Sequence, residues 1–505
     1  MKRTTLSLIA VATALAAVTG FAALTAPDGS AAPEAKAPTT LPVERSSLLC
    51  PAPSSSEVAE TDYVSYTPAA GSSAKGSGSA APTAKAELKA AASAATPGGT
   101  TAKKPGKAPA TVTEPGEPVA AEANGPTAPA LTGAATGGLA PGWTVQQTTV
   151  VTAGGARGLL GVACGAPDTD FWFPAASTAK ERQDYVHLTN PDDSAAVADI
   201  QLYGPEGELK SQLTEGIPVP AHSSVPVLLS TLTGQAPTAD VTVHVTTRSG
   251  RVGAVVGAAD DKLGSDWLPA SADPAGTAVL PGIPADATSV RLVAYAPGED
   301  DAELKIQLVG ETGTIVPASA QALHVKSGMT ASVDLPDLTR GETGSLLLTP
   351  SDPKKSTPFV AALRVTRGKG DKQEVAFIPA TAPIAARATV ADNRAAGSTL
   401  SLTAPGEAAQ VKVTASAGTG GGTPVTKTVT VKAGTTAKVT ELVPAGLKGS
   451  YALTVERVSG GPVHASRLLA VPEDGIPMFT VQTLVDDRGT VMVPTAKQDL
   501  GVLDD

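Results

Sequence analysis

A strand-like segment ending in Asn-Pro or Ala-Pro occurs three times in this chain, and its spacing constrains the fold more than any other feature. The copies are Tyr185-Val-His-Leu-Thr-Asn-Pro, Val290-Arg-Leu-Val-Ala-Tyr-Ala-Pro and Leu400-Ser-Leu-Thr-Ala-Pro, which place Pro191, Pro297 and Pro405 about 105–110 residues apart. Each copy is followed by a small or acidic turn and a second alternating segment. Further on, Val219-Pro-Ala-His corresponds to Val325-Lys-Ser-Gly and to Val431-Lys-Ala-Gly, and each unit closes with a pair of apolar segments. Alternation of apolar and polar residues between Gly and Pro turns is the pattern of half-buried strands. About seven short strands in about a hundred residues is the signature of a sandwich. Propeller blades repeat at roughly 40–50 residues and do not fit this period. The expected fold is all-β, with about three tandem, Ig-like β-sandwich domains stacked in series.

Outside the repeats, the N-terminus carries the firmest signal. Lys2 and Arg3 precede an apolar stretch from Leu6 to Leu24, then Pro27-Asp28-Gly29. A basic start followed by an apolar segment predicts an export helix. Two outcomes stay open. Small residues at Gly20 and Ala22, or at Ser30 and Ala32, suit cleavage; yet a stretch of this length at about 1.5 Å per residue nearly spans a hydrocarbon core of about 30 Å and would serve as an uncleaved anchor. The bulk of the chain is then outside the cytoplasm, extracellular or held at the outer face of the membrane.

Two cysteines, Cys50 and Cys164, are present. A lone pair in an oxidising compartment forms a disulfide. Between them lies a run, 68–142, built mainly of Ala, Pro, Gly, Ser, Thr and Lys. Such composition predicts a disordered insert, because it buries too little apolar surface to offset the entropy of ordering. The expected division is 1–27 export segment or anchor, 28–40 extended linker, 41–67 with 143–262 as the first sandwich, 68–142 the insert, 263–370 the second sandwich, 371–490 the third and 491–505 an acidic tail.

Ser46-Ser-Leu-Leu-Cys-Pro-Ala-Pro, Cys164-Gly-Ala-Pro-Asp-Thr-Asp-Phe-Trp-Phe, Tyr185-Val-His-Leu-Thr-Asn-Pro and Gly250-Arg-Val-Gly-Ala-Val-Val together resemble an uncharacterised family of secreted actinobacterial proteins, a domain of unknown function. The resemblance covers roughly 41–67 and 143–490. It implies an exported, β-rich body and brings no catalytic residues with it.

Chemistry is sparse. Net charge is −10, so no basic face for nucleic acid is expected. Ser177-Thr-Ala-Lys180 matches the Ser-x-x-Lys nucleophile motif of β-lactam-binding enzymes. That motif needs a long helix under the serine, and Tyr185-Val-His-Leu reads as a strand five residues later. A surface turn is the better reading, and no enzyme is expected. Phe171-Trp172-Phe173 stands out where aromatics are only 3% of the chain. It reads as core or interdomain packing, or alternatively as a ring platform for a sugar. His187, His222, His244, His324 and His464 are scattered without ligand spacing, so no metal and no cofactor is expected. The acidic turns Asp192-Asp193, Asp260-Asp261, Glu299-Asp300-Asp301 and Asp486-Asp487 read as solvated turns sooner than calcium loops. The functional expectation is a structural spacer or interaction module of the cell envelope. A wall-glycopolymer-binding protein and, far behind, a serine acyltransferase at Ser177 and Lys180 are the alternatives. A cell-wall polymer or an envelope protein is the expected partner.

Overall fold

The computed structural model of the chain describes residues 39–69, 84–93, 110–213 and 215–494. The expected export segment, nearly all of the linker 28–40 and residues 495–505 of the tail lie outside them. The chain divides into a small unit, which holds β1 (Thr39–Pro42), and a large one spanning Val43–Gly489. Among the described residues there is no α-helix, and no helix long and apolar enough to cross a membrane.

The large unit repeats one eight-strand wiring four times. The first copy contains β2 (Arg45–Cys50), β3 (Ala59–Tyr66), β4 (Ala86–Ala90), the two-residue β5 (Ala92–Ser93), β6 (Thr111–Val112), β7 (Val119–Asn124), β8 (Leu131–Thr136), β9 (Thr144–Val151) and β10 (Gly158–Ala163). Its sheet β2-β8-β4-β6 packs on β10-β9-β3-β7. The second contains β11 (Asp170–Ala176), β12 (Arg182–Thr189), β13 (Ala196–Gly204), β14 (Gly207–Leu209), β15 (Ile217–Val219), β16 (Ser223–Leu228), β17 (Val241–Ser249), β18 (Gly253–Asp260) and β19 (Gly264–Leu268). Here β11-β17-β13-β14 packs on β19-β18-β12-β16, and β5 of the first copy adds to β16 in parallel.

The third copy holds β20 (Ala278–Ile283), β21 (Ala287–Tyr295), β22 (Ala302–Val309), β23 (Thr314–Ile315), β24 (Ala322–Val325), β25 (Thr330–Asp334), β26 (Gly344–Pro350), β27 (Val360–Lys369) and β28 (Lys372–Pro379). The fourth holds β29 (Arg387–Asn393), β30 (Ser398–Ala404), β31 (Ala409–Gly418), β32 (Val425–Val431), β33 (Thr435–Val439), β34 (Tyr451–Gly460), β35 (His464–Ala470) and β36 (Phe479–Leu484). Their strand orders, β20-β26-β22-β23 on β28-β27-β21-β25 and β29-β34-β31-β32 on β36-β35-β30-β33, repeat those of the first two. Finer marks of the repeat survive too. The turn before the fifth strand keeps a left-handed residue at His222, Gly328 and Gly434, and the first strand carries a bulge at Ala175, Gly282 and Asp392. In the small unit, β37 (Thr490–Val493) pairs antiparallel with β1 as an exposed two-stranded ribbon.

The all-β sandwich expectation holds, but the copies number four and are not stacked in series. Each sandwich lays its first strand against the next: β2 meets β18, β11 meets β21 and β27, β20 meets β30 and β35, and β29 returns to β3 and β9. The last strands β10, β19, β28 and β36 touch in that order and close back on β10. The large unit is therefore a closed ring of sandwiches.

The extra sandwich comes from the run expected to be a disordered insert. Within 68–142, β4, β6, β7 and β8 complete the first sandwich, which ends at Cys164 instead of continuing to residue 262. Residues 70–83 and 94–109 of that run lie outside the described residues. Composition misled because the large side chains of this core are supplied mostly by other segments. Leu48, Tyr63, Trp143 and Val145 pack against Leu88, Val112 and Leu131, and the expected Cys50–Cys164 disulfide joins the ends. Small residues in the run make room for them. A side chain at Gly133 would put its Cβ 2.5 Å from the Trp143 ring, and the Trp143 Nε1 donates to Ser65 Oγ at 2.9 Å. Removing that indole should therefore loosen this sandwich first. Trp143→Ala is expected to cost roughly 3–5 kcal/mol, and hydrogen exchange should speed within 43–164 before it does in the other three sandwiches.

Candidate functional site

The chemically richest place in the described residues is the junction where β10, β19, β28 and β36 meet. Each is an edge strand and the last of its sandwich, so its outer side is free to receive groups from neighbours. Asp266, on β19, is sealed from solvent. Its Oδ1 accepts the Gly161 N–H of β10 at 2.9 Å and the Trp267 N–H at 2.8 Å, and its Oδ2 accepts the Thr480 hydroxyl of β36 at 2.9 Å. One carboxylate of the second sandwich thus ties the first and the fourth. Gly161 has to be glycine for this approach, since a Cβ there would overlap the Gln482 side chain.

Glu374, on β28, does the same for the third sandwich. Its Oε1 accepts the Leu159 N–H at 3.0 Å, and its Oε2 stands 3.7 Å from Arg157 Nη1. Arg157 Nη2 also donates to the Gln373 carbonyl at 2.8 Å. Burial raises both carboxylates: Asp266 well above the usual range, Glu374 to about 8. Arg467, wholly buried on β35, is pulled down to about 10 by burial and donates to the Ala391 carbonyl at 3.4 Å.

The residues singled out in the sequence sit elsewhere. Phe173 is fully buried in the second sandwich, Phe171 is half-buried, and Trp172 is 7% exposed. The Trp172 ring stacks on His244 at 3.6 Å and on Tyr295 of the third sandwich at 5.5 Å. Trp172 thus packs between the second and third sandwiches and Phe173 in the core of the second, while Phe171 keeps partial exposure. Ser177 follows β11 in a turn, not a helix. It is 2% exposed, its N–H donates to Asp184 Oδ2 at 2.8 Å and its hydroxyl accepts the Ala179 N–H at 3.0 Å, while Lys180 points to solvent. Asp184 is in turn held by the Arg182 fork at 2.7 and 2.9 Å. This is a buried turn anchor, without the helix on which a Ser-x-x-Lys pair works.

The histidines also lie apart. His187 meets the Trp267 ring edge-on at 5.1 Å and is lowered to about 4 by burial, as is His464, which bonds the Thr381 carbonyl. His222 pairs with Asp193, and His324 with Asp301 and Glu303. Among the described residues no group of three or more His, Cys, Asp or Glu is placed to hold a metal. In the acidic turns, Asp192 grips Arg251 and Asp260 accepts the N–H groups of Lys262 and Leu263.

Sequence reasoning missed Asp266, Glu374, Arg157 and Arg467. One signal was available: Gly264-Ser-Asp-Trp-Leu and Lys372-Gln-Glu-Val-Ala-Phe each carry an acid inside an apolar strand, where a charge is retained only with a partner.

Fold and junction define a class: chains that are nearly all β in their described residues and whose repeated sandwiches meet around buried carboxyl groups. This chain belongs to a family of unknown function (DUF5719), whose model matches residues 119–441, from the start of β7 into the fourth sandwich. No curated protein matches the chain.

The raised Glu374 makes stability depend on pH. Between about 4.5 and 8 the folded chain holds a proton there that the unfolded chain has lost. Its contribution therefore falls as pH rises through that window. Relative to Glu374→Gln, the wild type is expected to lose roughly 2–4 kcal/mol of stability between pH 5 and 9. Taking the difference between the two proteins isolates this group from His187 and His464, which act with the opposite sign below about pH 6.5. Parallel denaturation profiles would contradict the assignment.

Proposed function

We propose that this chain is an exported, non-enzymatic protein of the cell envelope that serves as a rigid spacer or interaction module. The observation that carries the reading is where the reactive groups lie: Asp266 and Glu374 are buried and bond across sandwiches, while Asp184 and Arg467 are buried inside the second and the fourth. Export is supported by Lys2 and Arg3 before the apolar stretch Leu6–Leu24, and by a disulfide of the kind that persists in oxidising compartments. The resemblance to secreted actinobacterial proteins points the same way. If the apolar segment is retained, it tethers the body to the outer face of the membrane. Partners would be a wall polymer or another envelope protein, and a net charge of −10 disfavours nucleic acid.

A second reading, binding of a wall glycopolymer, no longer rests on Trp172. It is favoured instead by a polar cavity of about 310 Å³ on the second sandwich. Acyl transfer at Ser177 has little support, because the hydroxyl is buried and Lys180 is exposed.

Fractionation of culture into supernatant, membrane and wall is expected to find the chain outside the cytoplasm, with an N-terminus either mature or starting before Leu6. A fluorescent β-lactam should leave it unlabelled. Recovery from the cytosol with free thiols at Cys50 and Cys164, or stoichiometric labelling at Ser177, would each overturn the proposal.

A further inference from the structure

The four copies of one wiring allow each sandwich to be compared with its siblings, and one strand differs in a telling way. In the fourth copy the edge strand β32 covers β31 without interruption from Ala409 to Ala415. In the second copy the same place is divided between two short strands. β15 covers β13 at Ala196–Ala198 and β14 covers it at Leu202–Gly204, so Asp199, Ile200 and Gln201 have no strand partner on that side. The chain between them is drawn off: Ser211 bridges to Thr233, and the Gln212 N–H donates to the Leu232 carbonyl. The third copy is divided similarly, but there the Ile306 N–H donates to the Gln321 carbonyl and spans the break.

The opening in the second copy is the cavity of about 310 Å³. That is the lower end of the range for small-molecule sites, about 300–1,000 Å³. Apolar surface comes from Leu213, Ile217 and Leu232, and polar groups from Asp199, Gln201, Glu208, Ser211 and Arg248. Asp199 is fixed by the Arg248 fork, whose Nε and Nη2 donate to its two oxygens at 2.7 and 2.9 Å. A carboxylate has about four lone-pair sites, so Asp199 keeps acceptor capacity towards the cavity. Leu213 is 50% exposed.

We propose that this notch binds a neutral N-acetylated hexosamine unit of a glycan, a reading that rests on the glycopolymer alternative above. Three features select that chemistry. β14 and β15 block both ends of the open edge, so an extended peptide strand cannot run along β13, whereas a compact ring fits. The carboxylates of Asp199 and Glu208 accept sugar hydroxyls, and the Gln201 amide and the main chain of Ile200 complement an acetamido group whose methyl meets Leu213 and Ile217. With two carboxylates and one guanidinium, the lining carries net negative charge and disfavours an anionic polymer.

The test uses the full chain, with the tetramer of N-acetylglucosamine and the tetramer of galacturonic acid as probes, in titration calorimetry and saturation-transfer NMR. The neutral tetramer is expected to bind, and the acidic one to bind at least tenfold more weakly. Asp199→Asn and Glu208→Gln, which keep side-chain shape, are each expected to weaken the neutral tetramer by tenfold or more while leaving the circular dichroism spectrum unchanged. No binding of the neutral tetramer, equal binding by both variants, or equal binding of the acidic tetramer would each overturn the site. Retention on isolated wall separates this from the broader reading. If wild type and variants are retained alike, the notch is wrong and glycopolymer binding stands; if the wild type is not retained, both fall.

Discussion

Two acidic side chains without access to water, Asp266 and Glu374, stand where all four sandwiches meet, and the hydrogen bonds they accept there join strands of different sandwiches. Removing a carboxylate from solvent costs several kcal/mol unless donors replace the lost hydration. Asp266 finds its donors on three different elements, β10, β19 and β36, and Glu374 finds its own on β10. No single sandwich can satisfy either group. Pulling one away leaves a buried acceptor without partners, a larger penalty than the bonds themselves are worth. That asymmetry adds to the apolar packing that already runs between sandwiches, as where Val375 and Phe377 of the third join the core of the second, and Phe479 and Val481 of the fourth join that of the third.

The composition that makes this possible looks unpromising at first. With charged residues at 17% and aromatics at 3%, the chain has few large side chains to fill space. It relies instead on close approach of backbones. Thr480 and Gln482 reach across to Gly161 because nothing projects from it, and Ala391 packs against Val64 and Tyr66 at the contact between fourth and first sandwiches. The few large rings are kept for places where small residues leave a void: Trp143 over Gly133, and Trp172 between the second and third sandwiches beside Tyr295 and Val360.

Much of this was legible in the sequence, and the parts that were not share a cause. The three later copies declared themselves through alternation and through Pro191, Pro297 and Pro405 at near-constant spacing. The Cys50–Cys164 bridge followed from the cysteine count together with the expectation of an oxidising compartment. The first copy was hidden because strands such as Val119-Ala-Ala-Glu-Ala-Asn and Leu131-Thr-Gly-Ala-Ala-Thr are made mostly of small residues. Their inward faces are recognisable only once Trp143 and Tyr63, from other segments, are set against them. The junction was hidden for a related reason. An acid in a strand signals that a partner exists, but the partners of Asp266 lie 105 and 214 positions away, and pairing at such distance is a property of ring closure.

Repetition also explains how a body of this kind acquires a site. A ring needs every first strand and every last strand, so β11 and β19 are constrained by their neighbours in the second copy as strictly as their counterparts are in the others. The fourth strand of each sandwich lies at the far edge of its sheet, opposite the first strand that meets the next sandwich. It is accordingly the element that varies most: continuous as β32, divided as β23 and β24, two residues long as β6, and opened around Asp199–Gln201 as β14 and β15. Fold and binding are thus assigned to opposite edges of the same sheet order, and a change in one edge leaves the clamp at Asp266 and Glu374 untouched.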